Sequence, residues 1–367
     1  MKIIIIGNGY DLNLKLESGF GHFYCSFFKT EKGEWDYKKI RSNLWALLLY
    51  FKYIDNKSDG LIKYDSDSPN WMDVEGFISD VLNNDQILSC ISESFTPTDD
   101  YIQPDGKIKG DSFNDQLHEI RSFAQMKHNE FGETGIYNIL SDDLTTFEVF
   151  FMNYLDGLNM YNYPAKSDLL MGKMTNDFQN TYVISFNYTK LPSGLKGTNQ
   201  VHGSLEERNI IIGVDKAFIK NSNIRKMRFS KSWRQLCNRL SNSMLPSKNE
   251  VNEIVVFGHS LGDQDYSYFH SLFNYYDLYA SRIKLSFLYA NFHYDSKTKI
   301  PDIVKNEEYR LNYIDSVYKL LNNYVEKSLG QKEADSFVTK IQLEGRLSVA
   351  EIDDYYIENI KFSSNLK

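Results

Sequence analysis

With 367 residues, 42% of them hydrophobic, the chain is long enough for one large core or two modest ones. Its formal charge of −8 is poorly suited to coating a phosphate backbone, so nucleic acid is not the expected partner. Three widely spaced cysteines, Cys25, Cys90 and Cys237, with no C-x-x-C step, point to neither a disulfide framework nor a zinc cluster and fit a reduced, cytoplasmic protein. The amino-terminal apolar run stops at Gly7, too soon for a signal peptide, and the longest apolar stretch, LWALLLYF at 44–51, is too short to cross a bilayer. No membrane association is expected.

Four consecutive isoleucines at 3–6 predict a strand buried on both faces. DLNLKL then begins a helix, with Asp11 near its start, where a carboxylate is favourable. From about 35 to 175 the chain reads mostly helical. Residues 42–54, 71–84, 113–131 and 144–158 carry apolar side chains at helical spacing. Within this region 94–112 is polar, with two prolines and two glycines, and reads as a surface loop or hairpin. Four short β-rich runs follow, at 181–187, 209–215, 253–259 and 283–290, with helical stretches at about 228–245 and 264–281. The basic run RKMRFSKSWR at 225–234 reads as a solvated helix face, with a local cationic patch as the alternative. Buried strands alternating with helices predict an α/β sheet, largely parallel. The predicted core is 1–19 with 176–302. Residues 20–175 form a large helical insertion after the first strand, and 303–367 a helical segment packed on the core.

Four motifs fall at or near the carboxyl ends of predicted strands, the edge at which α/β sheets bind ligands. In GNGYDL (7–12) a glycine-rich turn joins strand to helix, which suits either a phosphate or a plain tight turn. It lacks the third glycine of G-x-G-x-x-G, Leu12 standing there, and no G-K-[ST] follows. In SFNYT (185–189), Asn187 offers a donor and an acceptor for ribose hydroxyls or a water, or it is a turn asparagine. In VHG (201–203), His202 is a general-base candidate or a structural histidine.

The fourth motif, FGHSLGDQD (257–265), contains a literal G-x-S-x-G, which would make Ser260 the nucleophile of a serine hydrolase. Downstream only His270 and His293 could serve it, with Asp277 as the acid, and no H-G-G-G oxyanion motif exists. That reading also leaves Gly7, Asn187 and His202 unexplained. A nucleotide crevice explains all four motifs, with Gly7, Gly9 and Gly258 admitting phosphates and Asn187 and Ser260 meeting ribose hydroxyls. Trp71, Asp73 and Glu75 stand apart. The two acids lie about 200° apart on a helix, so they do not pair there. Asp73 suits a helix cap or first-turn acid. Under a metal-dependent nuclease reading, both acids would join Asp11, Asp263 and Asp265 as ligands.

Taken together and in this order, IIIIGNGYDL, Trp71-Met-Asp73-Val-Glu75, SFNYT, VHG and FGHSLGDQD resemble the AbiH family of bacteriophage abortive-infection proteins, from residue 3 to about 269. That family is in turn similar to sirtuin-like (SIR2) domains. The resemblance implies a Rossmann-like fold, a role as an anti-phage effector, and hydrolysis of NAD at the nicotinamide–ribose bond. It implies that Asn187 holds the ribose and helps place water, and that His202 is the base. Gly7 and Gly9 would flank the pyrophosphate and Gly258 and Ser260 line the adenosine side, with Asn8, Asp11 and Asp263 also among the nucleotide-binding residues, Asp11 either capping the helix or reaching the ribose, and with no metal. Deacetylation is not implied, because zinc-ribbon cysteines are absent, and Thr189 stands where sirtuin-like enzymes often carry Asp. An unidentified phage-derived trigger and self-association into a homo-oligomer are compatible with such a role. The alternatives are a metal-dependent nuclease and a nucleotide sensor without catalysis.

Overall fold

The computed structural model describes residues 1–53, 73–92, 106–108, 112–131, 135–158, 160–220, 223–238, 244–291, 301–328 and 331–364. Trp71, His293 and most of the 94–112 stretch lie outside the described residues. The chain divides into two compact units: Met1–Leu16, Asn159–Asn209 and Leu240–Lys367 form the first, and Glu17–Leu158 with Ile210–Arg239 the second.

The first unit is an α/β fold around six parallel strands: β1 (Lys2–Ile6), β2 (Thr181–Ser185), β3 (Gly197–Gln200), β4 (Glu253–Phe257), β5 (Lys284–Tyr289) and β6 (Leu347–Glu351). Their order is β3-β2-β1-β4-β5-β6, the doubly wound Rossmann-like arrangement. The chain leaves β1 toward one edge, then returns and proceeds from β4 toward the other. The loops after β1 and β4 therefore diverge at a topological switch point, where ligands bind in such sheets.

The isoleucine run is continuous because β1 is covered on both sides. Ile3 and Ile5 join Ile184, Val256 and Phe287 in one core, closed by Phe269 and Phe273 of the helix Tyr266–Tyr275 and by Leu320 and Tyr324 of the helix Ile303–Ser328. Ile4 and Ile6 join Val183, Val255 and Phe257 in another, with Met171 and Met174 of the helix Tyr163–Met174. Each such buried isoleucine contributes about 1.5–3 kcal/mol relative to exposure.

Register then fixes the functional edge. Ile6 lies opposite both Ser185 and Phe257, and Ser185 lies opposite Gln200. Four strands thus end level, so the loops beginning at Gly7, Phe186, Val201 and Gly258 start from one line.

Two elements differ from expectation. The apolar run at 209–215 is not a strand of the sheet. Ile210, Ile211, Ile212 and Val214 are buried, but their segment belongs to the second unit. The Ile212 N–H donates to the buried Glu148 carboxylate at 2.6 Å, and Val214 exchanges backbone hydrogen bonds with Phe229 and Lys231. Conversely, β3 and β6 form at the two sheet edges from GTNQ and LSVAE, so the carboxyl-terminal segment is not wholly helical.

The second unit is helical. The helix Leu44–Tyr53 has nine of its 10 residues buried, as expected of a helix apolar all round. Its first turn is capped by buried polar groups: the Leu44 N–H donates to Asp143 at 2.6 Å and the Ala46 N–H to Asn43 at 3.1 Å. Phe23, Phe28, Phe147 and Phe151, from the helices Phe20–Phe27 and Ile136–Asp156 and the residue that follows the first, pack against one another in the same unit. The basic run is only partly a solvated face. Lys226, Lys231 and Arg234 are buried, with Lys231 paired to Glu75 at 2.7 Å and Arg234 to Glu148 at 2.5 Å. Among the described residues no helix is long and apolar enough to cross a membrane.

Candidate functional site

The loops after β1 and β4 meet through glycines. The Gly9 N–H donates to the Gly258 carbonyl at 2.7 Å, and the Gly7 N–H to Phe257 at 3.2 Å. Gly258 has φ of 67°, and a Cβ there would lie 2.4 Å from the Tyr10 nitrogen. A Cβ on Gly7 or Gly9 would meet the backbone of Gly258–His259 within 2.8 Å. The three glycines are thus required by backbone-to-backbone contact between the two loops. Asn8 stands at the start of the short helix Gly9–Asn13, half-buried, with its carbonyl accepting the Leu12 N–H at 3.0 Å.

Asp11 faces inward. Its carboxylate is 1% exposed and accepts hydrogen bonds from the Tyr163 hydroxyl at 2.6 Å and the Thr189 hydroxyl at 3.0 Å. Burial first, and then the Asp11 charge, hold the Tyr163 phenol far above its ordinary range, so it stays a donor. Thr189 occupies the position where sirtuin-like enzymes often have an acid. Here it links the β2 loop to the β1 loop through Asp11.

That link holds Asn187 two residues away. The Asn187 N–H donates to the Ser185 hydroxyl at 3.0 Å, and the Gln200 amide donates to the carbonyls of Asn187 at 3.4 Å and Thr189 at 3.1 Å. The main chain is thereby pinned from β2 and β3. The side chain is different: it is 3% exposed, and both its Oδ1 and Nδ2 are buried without a hydrogen-bond partner. Buried amides are almost always paired, so an orphaned one at this sheet edge makes Asn187 a candidate for contact with a bound group or water.

His202 follows β3 in a turn set by Gly203, whose φ is 80° and whose Cβ would fall 2.2 Å from the Asn209 carbonyl oxygen. The ring is buried, edge-on to Phe186 at 5.3 Å between centroids and 5.8 Å from Tyr268. Its Nε2 lies 3.6 Å from Oδ1 of Asp265. A second imidazole shares that carboxylate: Nε2 of His259 lies 3.4 Å from Oδ2. The Asp265 side chain is 14% exposed and the two histidine side chains 6% and 4%, so water screens the cluster little. Phe186 packs against both imidazoles, at 5.3 Å from His202 and, in a T-shaped contact, 4.4 Å from His259 between ring centroids.

The sequence singles out Asn187 and His202 but not His259, and it reaches Asp265 only as a metal ligand. The signal is present in GHSLGDQD, but the G-x-S-x-G template directs attention to the serine instead of the histidine before it. Ser260 and Asp263 are exposed. Ser260 does not occupy a strained nucleophile turn: the positive φ values belong to Gly258 and Leu261, and the following helix begins only at Tyr266. Asp73 caps the helix Val74–Asn83 by accepting the Gly76 N–H at 2.8 Å.

The order of these motifs along the chain and their convergence on one sheet edge can be set beside known proteins. No curated protein and no solved structure matches the chain. A family model described as bacteriophage abortive infection AbiH matches residues 3–287, most of the sequence and all four site loops. The chain therefore belongs to the AbiH family of bacteriophage abortive-infection proteins.

Proposed function

We propose that this protein carries out its abortive-infection role by hydrolysing NAD at the nicotinamide–ribose bond. The observation that carries the reading is the buried, unpartnered Asn187 amide on the same sheet edge as His202. An amide offering one acceptor and two donors matches a ribose diol, which presents paired hydroxyls. The ribosyl carbon–nitrogen bond breaks with its electron pair going to the nicotinamide ring, which leaves neutral. Water adds to the ribosyl carbon and gives up its proton to His202, so that ADP-ribose, nicotinamide and a proton result. Asn187 orients the ribose and the incoming water, and His202 acts as general base. In this reading the exposed Ser260 and Asp263 meet the far ribose. Gly7, Gly9 and Gly258 hold the two loops in contact beneath the nucleotide, and Asn8 and Asp11 belong to the same support.

The test incubates purified protein with NAD, with and without extract of phage-infected cells, and follows nicotinamide and ADP-ribose. Release that disappears in His202→Ala, together with loss of phage protection in cells, supports the reading. Phage protection that survives His202→Ala overturns it. Tight NAD binding with no product from either sample would instead identify a sensor, and chelator-sensitive damage to nucleic acid with intact NAD would identify a nuclease.

A further inference from the structure

We infer that Tyr289, Tyr309 and Tyr313 seat the adenine base of the dinucleotide, an inference that rests on the nucleotide reading above. The starting point is register. Phe257 lies opposite Leu288, so Tyr289, the last residue of β5, falls level with Gly258. The line on which the loops at Gly7, Phe186, Val201 and Gly258 begin therefore continues to Tyr289. Strand alternation sends the Tyr289 side chain to the face of Leu285 and Phe287, where it packs against the core that also holds Phe186 and Val201. From β2, which leads into Asn187, to β5 is three strand spacings, about 14 Å. An extended dinucleotide has that reach. With one ribose at Asn187 and the other at Ser260, its base arrives at the end of β5.

That strand end suits a flat, neutral group. Tyr309 and Tyr313, one turn apart on the helix Ile303–Ser328, hold their rings nearly parallel, with centroids 6.3 Å apart. The Tyr289 ring stands 6.4 Å and 6.2 Å from them, inclined at 67° and 59°. Tyr289 and Tyr309 are half-buried, so the cluster reaches the surface, and aromatic side chains are the usual platform for a base. Tyr313 lies deeper, at 6% exposure, and its hydroxyl is buried without a hydrogen-bond partner. Buried phenols nearly always find one. A hydroxyl both donates and accepts, which matches a purine edge carrying ring-nitrogen acceptors and an amino donor, directly or through one water. Charge disfavours a phosphate at this end. Glu351, Asp354 and Glu307 act on Tyr289 with one sign and Arg310 with the other, and Arg310 is itself held by Glu307 at 2.6 Å. Adenine carries no charge, so it is the part of the dinucleotide that these surroundings admit.

The test is calorimetric titration of the full chain with AMP, ribose 5-phosphate and ADP-ribose. AMP and ribose 5-phosphate share the sugar and the phosphate and differ in the base. AMP is expected to bind about 10-fold tighter or more. Tyr289→Leu keeps apolar bulk and loses the aromatic face. It should weaken AMP and ADP-ribose about 5–100-fold, the worth of one base–aromatic stack, and leave ribose 5-phosphate unchanged. Tyr313→Phe deletes only an unpartnered hydroxyl, so it should fold, and should weaken AMP about 2–10-fold. A base-dependent loss in either variant supports the inference. Equal affinities for AMP and ribose 5-phosphate overturn it, even if Tyr289→Leu does not fold. So does an AMP affinity that neither variant lowers. Base-dependent binding with no nicotinamide release would sink the reaction and leave the adenine seat intact. Nicotinamide release by a protein indifferent to the base would do the reverse.

Discussion

Replacing Asn187 with leucine should make the protein more stable and abolish its function. The side chain is 3% exposed, and neither Oδ1 nor Nδ2 has a hydrogen-bond partner. Burying such an amide costs about 1–3 kcal/mol by mutational measures. Leucine is similar in size, carries no polar group and breaks no side-chain hydrogen bond here. The pinning of the loop survives, because it runs through the Asn187 backbone to Ser185 and Gln200. The expected gain is therefore about 1–3 kcal/mol, or about 2–10 °C in melting temperature for a domain of ordinary size. Thermal melts of Asn187→Leu and wild type, with and without NAD, provide the assay. Wild type should melt higher with ligand and the variant should not respond, because the stabilisation follows differential binding to the folded state. A variant that melts lower than wild type would show that the amide is already satisfied, and would remove the observation on which the proposed function stands.

Gly258→Ala should cost about 2–4 kcal/mol or more in chemical denaturation, because φ of 67° and a contact of 2.4 Å to the Tyr10 backbone both oppose a Cβ; unchanged stability would mean that the two loops are not in contact. Asp11→Ala strips a charged acceptor from the Tyr163 and Thr189 hydroxyls, which keep each other at 3.0 Å, so a loss of about 2–4 kcal/mol is expected in urea unfolding. A change below about 1 kcal/mol would deny Asp11 this supporting role. In the helical unit, burial pushes the Glu148 carboxyl up to about 7, although Arg234 and the Ile212 N–H draw it down. Between the ordinary 4.5 and that value the folded state keeps a proton that the unfolded state has released. Stability should therefore fall as pH rises through this window. Stability measured against pH should lose that slope in Glu148→Gln, and an identical slope in both proteins would refute the assignment.

Much of the fold is legible in the sequence because its signals are local. IIII at 3–6 must be covered on both faces, and the structure covers it on both. Helices at 44–53, 74–83 and 113–131 follow from apolar spacing, and the Asp73 cap from a carboxylate placed just before the helical run. The misreading of 209–215 has a definite cause. Its apolar content is that of a strand, but whether it pairs with a sheet depends on where its N–H groups find acceptors, and here Glu148, 64 residues earlier in sequence, supplies one. The edge strands GTNQ and LSVAE escape notice for the opposite reason: half-exposed edges carry little hydrophobic pattern.

The site divides the same way. Composition and motif order are enough to mark GNGYDL, Asn187, His202 and the GHSLGDQD loop, because each sits where a short strand gives out into a turn. Only tertiary structure decides what they do to one another. The register of four parallel strands brings those turns to one line. Close backbone approach explains the glycines, and the fold sets the Asp265 carboxylate beside the imidazoles of His202 and His259 while Ser260 stays exposed. Strand ends are written in the local sequence, whereas distances between loops as far apart in the chain as those at Gly7 and Gly258 depend on the sheet order that packing selects.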